Sequence, residues 1–136
     1  MIRPIIKDTL FLAQPSVEAT PADLPVLMDL LDTLRAHQDS CAGMAANMIG
    51  VKKRIIAFYM GQMPFGMINP VIVDKKAPYQ TEEGCLSLAG KRPTVRYRKI
   101  DVQYLDPSFQ QQNMSCTGWT AQVIQHEIDH CNGILI

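Results

Sequence analysis

His126-Glu127-Ile128-Asp129-His130 sets two imidazoles four residues apart, with a carboxylate beside the first. In a helix the two rings lie one turn apart on one face and can reach a single ion, while Glu127 flanks that face. A divalent ion there lowers the pKa of a bound water from about 15.7 towards ~7, and Glu127 can take the proton; this is the chemistry of metal-assisted hydrolysis of a small amide. Chance explains the motif poorly. The chain has 3 histidines, and such a composition yields the motif in on the order of two per thousand chains of this length. The remaining one, His37, falls where a helix should end and reads as a residue favoured by the helix dipole.

Two histidines do not hold a catalytic metal alone; such sites use three protein ligands and leave a position for water. Only Cys131-Asn132-Gly133-Ile134-Leu135-Ile136 follow His130, without His or Glu. Cys131 adjoins His130 and should point away from the pair into the core. A conventional zinc metalloprotease, whose third ligand lies downstream, is therefore disfavoured. The upstream candidates are Cys41, Cys85, Cys116 and several carboxylates. Cys85 stands out for its setting, Glu82-Glu83-Gly84-Cys85-Leu86-Ser87, where the glycine permits a bend that exposes the next side chain and its neighbouring N–H groups. A thiolate with two imidazoles is a soft donor set suited to ferrous iron, nickel or zinc.

These residues must be positioned by a scaffold. From about Gly118 to Cys131 the pattern is helical, with Trp119, Val123, Ile124 and Ile128 as apolar contacts. Near the other end, Thr20-Pro21 is a helix-start signal. Leu24, Leu27, Met28, Leu31 and Leu34 then predict one buried face of a helix over about Ala22 to His37. Between them, Gly43 to Gly50 is a run of small residues that lets a backbone approach a neighbour or ligand closely. Arg54–Met60 and Met67–Asp74 read as strands joined by a turn over Gly61–Gly66, and Thr94–Tyr97 and Ile100–Leu105 as two more. The expected fold is α+β: antiparallel β-sheets packed around a C-terminal helix that carries the H-E-x-x-H motif, plus an N-terminal helix, in a single domain over 1–136.

Composition excludes several alternatives. Lys+Arg and Asp+Glu balance at 13 each, so no net field draws the chain to nucleic acid or anionic lipid. Lys91, Arg92, Arg96, Arg98 and Lys99 form the one basic cluster, which reads as a solvated strand edge. No stretch approaches a membrane span and no signal-peptide layout is present. The expected location is the cytoplasm, where the 4 cysteines are thiols or ligands rather than disulfides.

Three ordered segments carry a resemblance: Gly43-Met44-Ala45-Ala46-x-x-Ile49-Gly50, Glu83-Gly84-Cys85-Leu86-Ser87 and Gln125-His126-Glu127-Ile128-Asp129-His130. With them the chain resembles the peptide deformylases over nearly its whole length. The resemblance implies a metal-dependent hydrolase that removes the formyl group from N-formylmethionyl peptides of nascent proteins, at the ribosome. It implies one divalent metal ion, ferrous iron first and nickel, cobalt or zinc as replacements, held by Cys85, His126 and His130. It further implies Glu127 as general base and acid, the Leu86 N–H on the formyl oxygen, and Glu83 as support for the ligands.

This sequence departs from the family pattern in its first motif. Cys41 stands where the family has glycine, and is either a packed thiol or a second sulfur competing for the ion. Met48 stands where the family has a glutamine that donates to the formyl oxygen, and a thioether donates nothing. Asn47 is adjacent, but neighbours in an extended segment point opposite ways. Two other readings follow: weak activity or a different N-acyl substrate, and a non-catalytic metal- or peptide-binding module.

Overall fold

Both parities of Ile55-Ile56-Ala57-Phe58 are apolar, and side chains of a strand alternate between faces, so this strand must be covered on both sides. The structure, a computed structural model, describes residues 1–136 and places it so. Strand β2 (Ile55–Met60) sends Ile56 and Phe58 into one core cluster and Ile55 and Ala57 into another. The first cluster is closed by helix α3 (Gly118–Cys131) through Ala121, Val123, Ile124, Ile128 and Cys131. The second is closed by helix α2 (Leu24–Ala36) through Leu27, Leu30 and Leu34.

The strands form one five-stranded antiparallel sheet in sequential order: β1 (Gly43–Ala45), β2, β3 (Met63–Cys85), β4 (Leu88–Leu105) and β5 (Gln111–Thr117). A short helix α1 (Thr9–Leu12) precedes them, capped by the Asp8 carboxylate, which accepts from the Leu10 and Phe11 N–H groups. Five antiparallel strands with a helix on either side of β2 match the expected α+β architecture. No helix is long and apolar enough to cross a membrane.

Several expectations need correction. The turn into β3 is confined to Gly61 and Gln62, so Gly66 lies within the strand, where a Cβ would come within 2.5 Å of a Leu27 methyl. The expected separate segments are two long strands, β3 with 23 residues and β4 with 18. The polar stretch of β3 hides the continuity, because residues 73–78 are exposed on both faces. On α2, Leu30 joins the core while Met28 is 56% exposed. Trp119 is 66% exposed and supplies no core contact. The basic cluster is not one edge: Lys91 and Lys99 lie on one face of β4 and Arg92, Arg96 and Arg98 on the other, with Arg96 buried.

Candidate metal centre

Helix α3 supplies the imidazoles. Gln122, His126 and His130 follow at i, i+4 and i+8 along one face, and Glu127 lies beside them. The β3–β4 hairpin supplies the sulfur. Its two-residue turn, Leu86-Ser87, follows Cys85 directly, and the register slips between Gly84 and Cys85. Gly84 itself adopts no left-handed angle; Gly90 does, at φ 75°, across the hairpin. The bend anticipated at Gly84 is therefore a register shift that Gly90 makes possible. Cys85 Sγ and one ring nitrogen from each histidine lie within 4.8 Å of one another. Ser87 N–H donates to that sulfur at 3.4 Å.

The supports of the histidines differ. His126 Nδ1 donates to Glu83 Oε1 at 2.7 Å, which leaves the far nitrogen's lone pair for an ion. Glu83 is itself held by the Arg96 guanidinium, with Nη2 2.7 Å from Oε1 and Nε 3.0 Å from Oε2, and Arg96 Nη1 reaches Asp129 Oδ2 at 2.6 Å. Burial opposes charge on Glu83, yet hydrogen bonds from His126, Arg96 and Gln122 hold its carboxyl down at about 2. His130 Nε2 donates to the Ile136 carbonyl at 3.2 Å. Its Nδ1 lies 3.1 Å from Glu127 Oε1, but the two are misaligned, so each is buried without a hydrogen-bond partner. Orphaned buried polar atoms are costly and call for an explanation. A soft donor set with two unsatisfied atoms at its centre fits a bound divalent ion.

Electrostatics agree with that fit. Burial pushes the Cys85 thiol up, but hydrogen bonds with His126 and His130 outweigh it and bring the group down to about 7. Burial opposes a charged His126, and the Cys85 and Glu83 hydrogen bonds still draw it up to about 9. For His130, burial is likewise overcome, by the charge of Glu127 and the Cys85 sulfur. Without an ion, the site is a thiolate against imidazolium. An ion must therefore displace protons, and acidification through about 7 protonates the thiolate as well. Zinc affinity should fall throughout as the pH is lowered from 8, by about tenfold per pH unit for each imidazole proton displaced, and more steeply below about 7, where the thiol proton must be displaced as well. Competition against a chromophoric chelator between pH 5.5 and 8 checks this; a flat profile contradicts it.

Cys41 and Glu127 flank a cleft that also contains Cys85, Leu86 and His126. Cys41 is outside the donor triad: its Sγ donates to the Gly43 carbonyl at 2.8 Å. Burial, and then the charge of Glu127, push its thiol up to about 12, so it is a packed neutral thiol and a poor ligand. Gly43 is constrained by helix α3, since a Cβ would lie 2.7 Å from Val123 Cγ1 and 3.1 Å from Glu127 Oε2. Gly43→Ala should cost about 1–3 kcal/mol of stability through overpacking and should also lower turnover by displacing Glu127. Thermal melts and rates on the same preparation check both.

Met48 and Asn47 do not line the cleft. They lie in a 3-10 turn, Ala46–Ile49, and not in the extended segment assumed from sequence. Asn47 Nδ2 donates to the His130 carbonyl at 3.0 Å, and Met48, 1% exposed, lines a small cavity behind Cys85 and His130 with Ser87 and Leu88. Sequence reasoning missed Arg96, Gln122 and Gln125 at the site. Helical spacing was the signal for Gln122, since positions 122, 126 and 129 share the face that Glu83 and Arg96 meet, while Arg96 and Gln125 carried none.

The polypeptide deformylase family model matches residues 4–136. The peptide deformylase of Clostridium beijerinckii is 57% identical over 136 residues, spanning 100% of both chains. Among solved structures, the peptide deformylase of Thermotoga maritima superposes with a TM-score of 0.88 at 26% identity, over 99% of this chain and 95% of that one. A class I type b peptide deformylase from Acinetobacter baumannii with Met-Ala-Ser bound superposes with a TM-score of 0.86 at 27% identity, over 99% and 97%.

Proposed function

The chain belongs to the polypeptide deformylase family, and from that premise we propose how its own residues carry out the metal-dependent deformylation of nascent peptides. The observation that carries the reading is the clustering of Cys85, His126 and His130 donor atoms within 4.8 Å beside Glu127. Cys85, His126 and His130 would hold one divalent ion, ferrous iron in the cell, with nickel, cobalt or zinc able to replace it. When bound, such an ion supplies Lewis acidity, acidifying a water and polarising the formyl carbonyl.

The remaining work belongs to the protein. Glu127 removes a proton from the water as its oxygen adds to the formyl carbon. As the C–N bond breaks, the same carboxyl returns that proton to the departing amine, leaving formate and a free peptide amino group. The Leu86 N–H, at the hairpin turn beside Cys85, faces the developing charge on the formyl oxygen. Glu83 fixes which nitrogen His126 presents. The substrate is an N-formylmethionyl peptide as it leaves the ribosome, which places the reaction in the cytoplasm. The Met-Ala-Ser peptide bound by the Acinetobacter baumannii relative has the form of the product of such a reaction and supports this substrate class.

The test is formate release from a formyl-methionyl tripeptide by protein loaded anaerobically with iron, and separately with nickel. Metal-dependent release is expected. Folded, metal-loaded protein that releases acetate from the acetylated peptide faster than formate from the formylated one would assign it a different acyl substrate.

A further inference from the structure

Gln122 lies one helical turn before His126, and neither the donor set nor the base includes it. Its half-buried side chain stands in the cleft wall with both ends of the amide engaged. Nε2 donates to Glu83 Oε2 at 2.8 Å, and Oε1 accepts from the Tyr79 hydroxyl at 3.3 Å. Above the Tyr79 ring sits the Arg98 guanidinium, 4.7 Å from its centre. On the opposite side of Glu83, Oε1 holds His126 Nδ1 at 2.7 Å. A line of contacts thus runs from the surface of the ribbon to the first histidine.

The direction of the amide matters. Arg96 grips both carboxylate oxygens from β4, with Nη2 on Oε1 and Nε on Oε2. The Gln122 donor on Oε2 comes from the helix that carries His126, so it ties the carboxylate plane to that helix as well as to the strand. We propose that Gln122, braced by Tyr79, is a positioning residue for the metal centre: it fixes the tilt of the Glu83 carboxylate, and through it the angle of the His126 ring. The inference rests on the reading of Cys85, His126 and His130 as metal ligands. Although Gln122 faces the cleft, its carbonyl and one N–H are already committed, so its effect falls on the metal and not on peptide affinity.

Gln122→Met keeps the length of the side chain and removes both hydrogen bonds, while Tyr79→Phe removes a single oxygen. Three readouts apply to each: zinc affinity by competition with a chromophoric chelator, the ligand-field absorption bands of the cobalt-loaded protein, and kcat and KM on a formyl-methionyl tripeptide. Gln122→Met should weaken zinc about tenfold, at the low end of the effects seen when outer partners of metal ligands are removed, with KM changed by less than about twofold. The cobalt bands should shift, kcat should fall, and Tyr79→Phe should move each in the same direction by less. Unchanged zinc affinity and cobalt bands in Gln122→Met overturn the proposal, as does a rise in KM alone. If Gln122→Met does not fold, Tyr79→Phe decides by the same criteria. Parent protein that binds no zinc would instead remove the ligand reading beneath it.

Discussion

Glu127→Gln will reduce formate release by about 10²–10⁴-fold, the range over which a positioned general acid–base group acts, and will leave zinc affinity nearly intact. The substitution retains shape at a position only 3% exposed, so packing against Val123 and Gly43 is preserved. What changes is proton capacity: a carboxamide accepts a hydrogen bond but takes no proton at neutral pH. Because the donor atoms come from Cys85, His126 and His130, the ion should still bind. Chelator competition run beside the assay separates the two properties. Release within about tenfold of the parent would sink the assignment of Glu127 as base.

Met48→Gln should act in the opposite direction and raise kcat by about 10²–10³-fold, because the cavity that Met48 lines shares Cys85 with the cleft, so an amide placed there brings one donor toward the developing oxyanion beside that sulfur. The thioether is buried behind Cys85 and His130, in a cavity that also contains the Ser87 hydroxyl, itself buried without a partner. A glutamine of similar length would bring an N–H into the same space and give Ser87 Oγ a neighbour. The gain should be accompanied by some loss of stability, since an amide replaces an apolar side chain packed with Ile49 and Ala46. Steady-state rates with the same metal in both proteins decide it. An unchanged or lower kcat would contradict it.

The legible parts of the sequence were those with local signals. The span Gly118–Cys131 and the pairing of His126 with His130 follow from helical spacing, which does not depend on what lies around the helix. Strand β2 was legible because its apolar run is continuous. The long ribbon was not. Residues 74 to 84 are mostly polar and carry Pro78 and a left-handed Ala77, features of a loop, and only pairing with β4 keeps them extended. Arg96 reads as solvated for the same reason: its burial comes from Glu83 across the ribbon and Asp129 on the helix, partners 13 and 33 positions away. β5 leaves no signal because Gln111-Gln112-Asn113 has little strand propensity and is ordered by β4 alone.

The contact between α3 and β4 has one more consequence. Gln125 accepts from the Tyr97 N–H through Oε1 at 2.8 Å and donates from Nε2 to the Tyr97 carbonyl at 2.8 Å, pairing with the strand as another strand would. With the Arg96–Asp129 ion pair, this stitches the histidine helix to the ribbon that ends in Cys85. The three donors are thus gathered by bonds that do not involve the ion, and the chain's loss of freedom is settled at folding instead of at metal capture. Affinity then reflects ligand chemistry with little entropic penalty for assembly. Stripping the metal with a chelator should leave the far-ultraviolet circular dichroism unchanged, and re-addition should restore the site at a rate set by diffusion and proton release, without a refolding phase.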